Sequence, residues 1–349
     1  MTAGRWIVAL LTFGVPASAF AHIKWFVAYN LANPPRPAFD VVSGRYFVLF
    51  CLAIAPFVFV VSLLDRHLTR RECFLHRHAD ALTHRLSDYF PLMLRVGVSV
   101  FFAALFTYGC FNGWMILTPE LHTHTQWICG IQLAIAVFAF WRRTGLLAAA
   151  GIVFLYGYAV LHYGVFHMLD YPIFLGVAGH LAIDSLYGRD RRDVAQESVR
   201  ICAAVTLLWA SIEKFAFPEW SFLLLNERPA MTFTINPELY MVAAGFVEFC
   251  AAYLLLTGML AARMAALVLL VFFVGAIIPF GTVDAIGHSV IIVVLSVLVL
   301  SNNTVAPRLA WQRSDAMTAT LHTSMFFGIL LLFMVLYYGG YYLSSHEIA

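Results

Sequence analysis

Charged residues make up only 11% of the 349 residues, against 62% apolar. The ionisable groups that fall inside apolar stretches are therefore where chemistry has to reside. In hydrocarbon such a group is costly unless it is paired or hydrated, so a functional role is its default reading. Six residues meet this description: Glu213, Lys214, Glu248, His180, Asp184 and His288. Glu213 and Lys214 are adjacent and point to different helical faces, one turn from a boundary where Lys can snorkel, so interfacial anchoring competes with catalysis there. Glu248 lies mid-stretch, where a partner, Lys214 or His288, or a raised pKa is expected. His180 and Asp184 are four apart and share a face, a spacing in which a carboxylate orients an imidazole; the alternative is a polar pair tying helices together. Among aromatic helices, Glu248, His180 and His288 have the chemistry to hold a quinone headgroup. A second set, His22, His122, His124, His162, His167 and Asp170, gathers in or near the turns at one side, with Glu120 and Asp284 beside it and His288 somewhat deeper. Imidazole with carboxylate suits Cu or Zn, although no H-x-x-x-H or cysteine-containing ligand spacing is present.

The elements that position these residues must be helices. Ten apolar segments, near 45–64, 92–112, 127–141, 145–163, 172–187, 199–217, 239–257, 260–280, 283–300 and 322–343, alternate with polar or Pro/Gly-containing turns. In a bilayer the backbone has to bond to itself, so the expected fold is an all-α, polytopic transmembrane bundle of about ten helices. Residues 1–21 read as a signal peptide ending in Ala19-Phe20-Ala21, or as an uncleaved first helix; cleavage there makes His22 an N-terminal residue whose amine adds to its ring as a ligand. Of the 21 Lys and Arg, all but Lys24, Arg36, Arg45, Lys214 and Arg228 fall on one set of alternate loops and their helix ends. The positive-inside rule makes that set cytoplasmic and places the segment after residue 21 in the periplasm of a bacterial inner membrane. The basic, His-containing loop 65–90 reads as a solvated amphipathic surface helix. A net charge of +2 and the lack of a recognition module give no support to a nucleic-acid partner. Six scattered cysteines, without a C-x-x-C pair, read as packing residues.

The chain also repeats itself. Arg95, Thr118-Pro119-Glu120, Arg142 and Asp170 correspond in order to Arg200, Phe217-Pro218-Glu219, Arg263 and Asp284. Both halves share one orientation, a parallel repeat. With an Arg opening a Gly/Ala-rich helix, Glu213-Lys214-Phe215 followed by Pro218-Glu219-Trp220, and a Gly281 to His288 turn, this pattern resembles the DoxX/DoxD-like membrane proteins over roughly 95–300. The resemblance implies two tandem four-helix units, at 92–190 and 195–302. They are preceded by 1–21 and by 22–91, an outer segment, one helix and the basic loop, and followed by a C-terminal helix in 303–349. It also implies a quinone-linked redox or accessory subunit with a membrane or periplasmic partner. A periplasm-facing Cu or Zn binding or handling protein and a non-enzymatic transporter or scaffold are the other readings. Heme c, flavin and iron-sulfur signatures are missing from the sequence, which leaves noncovalent heme on two buried histidines as a lesser option.

Overall fold

The structure is a computed structural model and describes residues 25–26, 33–71, 73–227, 234–302 and 314–348. The expected signal segment and His22 lie outside the described residues. After a short α1 (Ala38–Ser43), each of the ten expected segments is helical. They are α2 (Arg45–Arg70), α4 (Phe90–Asn112), α5 (Trp127–Phe140), α6 (Gly145–Met168), α7 (Ile173–Tyr187), α8 (Arg192–Ala216), α10 (Pro237–Thr257), α11 (Leu260–Phe280), α12 (Thr282–Leu300) and α13 (Asp315–Ile348). The basic loop forms α3 (Phe74–Leu86), and a short α9 (Glu219–Glu227) turns away from the stretch before it by 82°. Among the described residues seven helical stretches are long and apolar enough to cross a bilayer, or eight counting that bent pair. This is an all-α chain suited to a bilayer. The count falls below ten partly because α5 has only 14 residues, against the roughly 20 needed to span hydrocarbon.

Eight helices close into a ring. α4, α5, α6, α7, α8, α10, α11 and α12 pack in chain order, and α12 returns to pack on α4. α2 and α13 pack on each other outside the ring and cover α8, α10 and α11. Without water to drive helices together, close backbone approach supplies the contact, and small residues permit it. At the α7–α8 crossing a Cβ on Gly176 would sit 2.6 Å from the Cys202 Cβ and 2.8 Å from the Ser198 carbonyl oxygen.

Arginines fasten one end of the ring. Arg95 Nη1 lies 2.8 Å from Asp184 Oδ2, and Arg142 Nε donates to the Asp184 carbonyl at 2.8 Å, both near the C-terminus of α7. Arg200, fully buried, donates to Ser301 Oγ at 3.2 Å and to the Asn302 carbonyl at 2.9 Å, while Arg263 donates to Asn302 Oδ1, both just past the C-terminus of α12. A cation there supplies donors where the last carbonyls lack them and opposes the negative end of the helix dipole.

The opposite end is closed by a β-hairpin. β1 (Trp114–Met115) pairs antiparallel with β2 (His122–Thr123), with Trp114 opposite Thr123 and Met115 opposite His122. Its loop turns inward: Ile116, Leu117 and Leu121 are fully buried, and Gln132 on α5 donates to the Ile116 carbonyl at 3.1 Å.

Candidate functional site

That inward loop delivers Glu120 to the interior. His167 arrives from α6, whose path bends at Gly164, where φ is 81° and ψ is 159°. An L side chain is strained in this region, so glycine is what lets the final turn, 165–168, swing His167 inward. Asp170 follows in the tight connection to α7. The donor atoms of Glu120, His167 and Asp170 lie within 4.8 Å of one another. His167 Nε2 and Glu120 Oε1 are 2.9 Å apart, with both side chains at most 3% exposed. Tyr171 donates its hydroxyl to Glu120 Oε1, and the ring of Tyr163 stacks on His167 at 5.6 Å. An ion bound at about 2.1 Å to each of two ligands separates them by about 3.4 Å in tetrahedral geometry, so the His167–Glu120 contact needs to open only by a few tenths of an ångström.

A second pair lies on α12. Asp284, one residue inside the N-terminal turn, and His288, one turn later, approach to 3.0 Å between Oδ2 and Nδ1, with exposures of 0% and 1%. The His288 ring is enclosed by Trp25 at 4.6 Å and Phe273 at 4.8 Å. Gly287 makes room for the indole: a Cβ at that position would fall 2.1 Å from it. Asp170 on one side and His288 on the other border the same small cavity.

The other residues singled out from the sequence are dispersed. His122, His124 and His162 are exposed; the His122 carbonyl accepts from Tyr163, and His162 Nδ1 lies 2.9 Å from the Tyr158 carbonyl. His180 and Asp184 do not form the expected pair. Asp184 is engaged by the Arg95 guanidinium, a stronger partner than a neutral imidazole, and His180 Nδ1 turns to the Ala195 carbonyl at 3.1 Å. Glu248 meets Lys214 Nζ at 2.5 Å and not His288. Glu213 is half-buried beside it on α8. Glu248, His180 and His288 thus each have a different polar partner.

Sequence reasoning had placed Glu120 near the outer histidines without making it a ligand, because a hairpin of two-residue strands leaves almost no periodic signal. The Asp284–His288 pair is not among the sequence readings, although its i,i+4 spacing is the signal that points to it. Thr118, Tyr171 and Trp25 carried no signal of their own.

Compared with protein-family models, with curated proteins and with solved structures, the chain matches none.

Proposed function

We propose that this is a multi-pass membrane protein that binds a divalent transition metal, of the zinc or copper class, through Glu120, His167 and Asp170 at the end opposite its arginines. The observation that carries the reading is the convergence of one imidazole and two carboxylates, drawn from a hairpin loop, a kinked helix end and a tight turn, inside an apolar bundle. A divalent cation matches the charge of two carboxylates, and imidazole supplies the borderline-soft ligand that zinc and copper favour.

The cyclic packing supports a tandem, DoxX-like origin for the scaffold. Two four-helix units, α4–α7 and α8 with α10–α12, account for the ring, since the last helix of each packs on the first of the other. The arginine contacts correspond as well: Arg95 and Arg142 reach the end of the first unit's fourth helix, as Arg200 and Arg263 reach the end of the second's. The arginine bias supports a bacterial inner membrane with the metal end facing the periplasm.

The test is metal binding by the purified chain in detergent. Titration with Zn²⁺ or Cu²⁺ should give about one tight equivalent per chain, and His167→Ala and Asp170→Asn should each weaken it tenfold or more. A wild-type chain that takes up neither ion, or variants that bind as tightly as wild type, would overturn the assignment.

A further inference from the structure

Of the three cluster residues, Asp170 borders a cavity lined by residues of both halves of the ring. Thr118 and Asp170 border it from the first half, His288 and Ala210 from the second, and Trp25 and Phe174 complete much of its apolar wall. Its volume is about 30 Å³, room for a water molecule or a guest of two or three heavy atoms. A quinone ring does not fit in it.

Two features of the wall point to a polar guest. The Thr118 hydroxyl is buried, with the residue 2% exposed, and has no hydrogen-bond partner among the described residues. A buried hydroxyl left in that state costs free energy that a bound acceptor or donor recovers. His288 also borders the cavity, with its Nδ1 3.0 Å from Asp284 Oδ2. The remaining surface is aromatic and aliphatic, which keeps the dielectric low and strengthens any polar contact made inside.

We infer that this cavity is the pocket for a small exogenous ligand of the metal: a diatomic or triatomic molecule or anion that places one lone pair on the ion and a second atom against Thr118 or His288. The inference rests on the metal reading and assigns that site its substrate class. It also explains why the two halves must be joined, since neither encloses the pocket alone.

Azide added to the Cu²⁺-loaded full-length protein is the probe, followed by its ligand-to-metal charge-transfer absorption. Ala210→Leu narrows the cavity from the α8 wall, and Thr118→Val removes the hydroxyl at constant shape. Copper stoichiometry should stay at one in both, while the azide Kd rises tenfold or more with Ala210→Leu and about threefold or more with Thr118→Val. Thr118→Val, which keeps the side-chain volume, carries the test if Ala210→Leu folds poorly. Normal copper uptake with no azide band in the wild type, or with azide affinity equal in wild type and variants, would overturn the pocket and leave the metal site standing. Failure of the wild type to take up copper would overturn both.

Discussion

Lys214 and Glu248 show how buried charge is tolerated here. Glu248 is 4% exposed and Lys214 15%, and their 2.5 Å contact joins α8 to α10. The mid-helix position of Glu248 demanded a partner on desolvation grounds alone, and Lys214 was one of two residues near enough in the sequence plan to serve. What the sequence did not reveal is which one, because that depends on the rotation of α8 and α10 about their axes. Breaking such a pair strands one charge in a poorly solvated interior. Glu248→Gln should therefore lower stability by about 3–5 kcal/mol, read by thermal unfolding in detergent, whereas the double change to Lys214→Met with Glu248→Met should recover most of it. Metal content should be the same in all three proteins, because neither residue belongs to the cluster of Glu120, His167 and Asp170. A single variant as stable as wild type would show that the contact carries no net energy, and a single variant that lost its metal would tie the pair to the site.

Among the elements, α6 couples local backbone conformation to the site. Its register and length were legible as an unbroken apolar stretch from Gly145, but the bend was not, since Gly164 is one glycine among several in helices and no proline marks it. Only the observed φ of 81° with ψ of 159° sets it apart. Gly164→Ala puts an L residue in a region reserved for glycine, at a cost of about 1–3 kcal/mol. The strain is relieved by straightening the last turn, which carries His167 away from Glu120. The expected outcome is a modest fall in melting temperature with a disproportionate, tenfold or greater loss of Zn²⁺ affinity. If affinity and stability fell in step, or if the ion bound normally, the bend would not be what positions His167. The hairpin was less legible still: the sequence places His122 and His124 only in or near a turn, and the descent of the loop into the bundle depends on Ile116, Leu117 and Leu121 finding the interior between the helices.

For the whole molecule, each of the ten apolar segments from residue 45 onward is helical because hydrocarbon leaves the backbone no alternative, and polarity followed from the order of short turns. The convergence of Glu120, His167 and Asp170 could not be read the same way, since it depends on a hairpin and a kink that hydropathy does not register. The ring separates charge by end. The arginines from Arg66 to Arg85, those flanking the α5–α6 and α7–α8 turns, and Arg263 lie at one end, while the hairpin, Arg36 and the cluster of Glu120, His167 and Asp170 lie at the other. Positive charge resists translocation, so under the proposed orientation the arginine end lies in the cytoplasm and the cluster faces the far side. Single cysteines at two exposed histidines test this directly, in a background from which the six native cysteines have been removed. His78→Cys on α3 should react with a membrane-impermeant maleimide only after the cells are opened, and His124→Cys beside the hairpin should react in intact spheroplasts. Labelling of both from the same side would contradict the alternation of helices. Labelling of each from the side opposite to that expected would keep the fold and reverse the membrane orientation, which would make the metal cluster a cytoplasmic site.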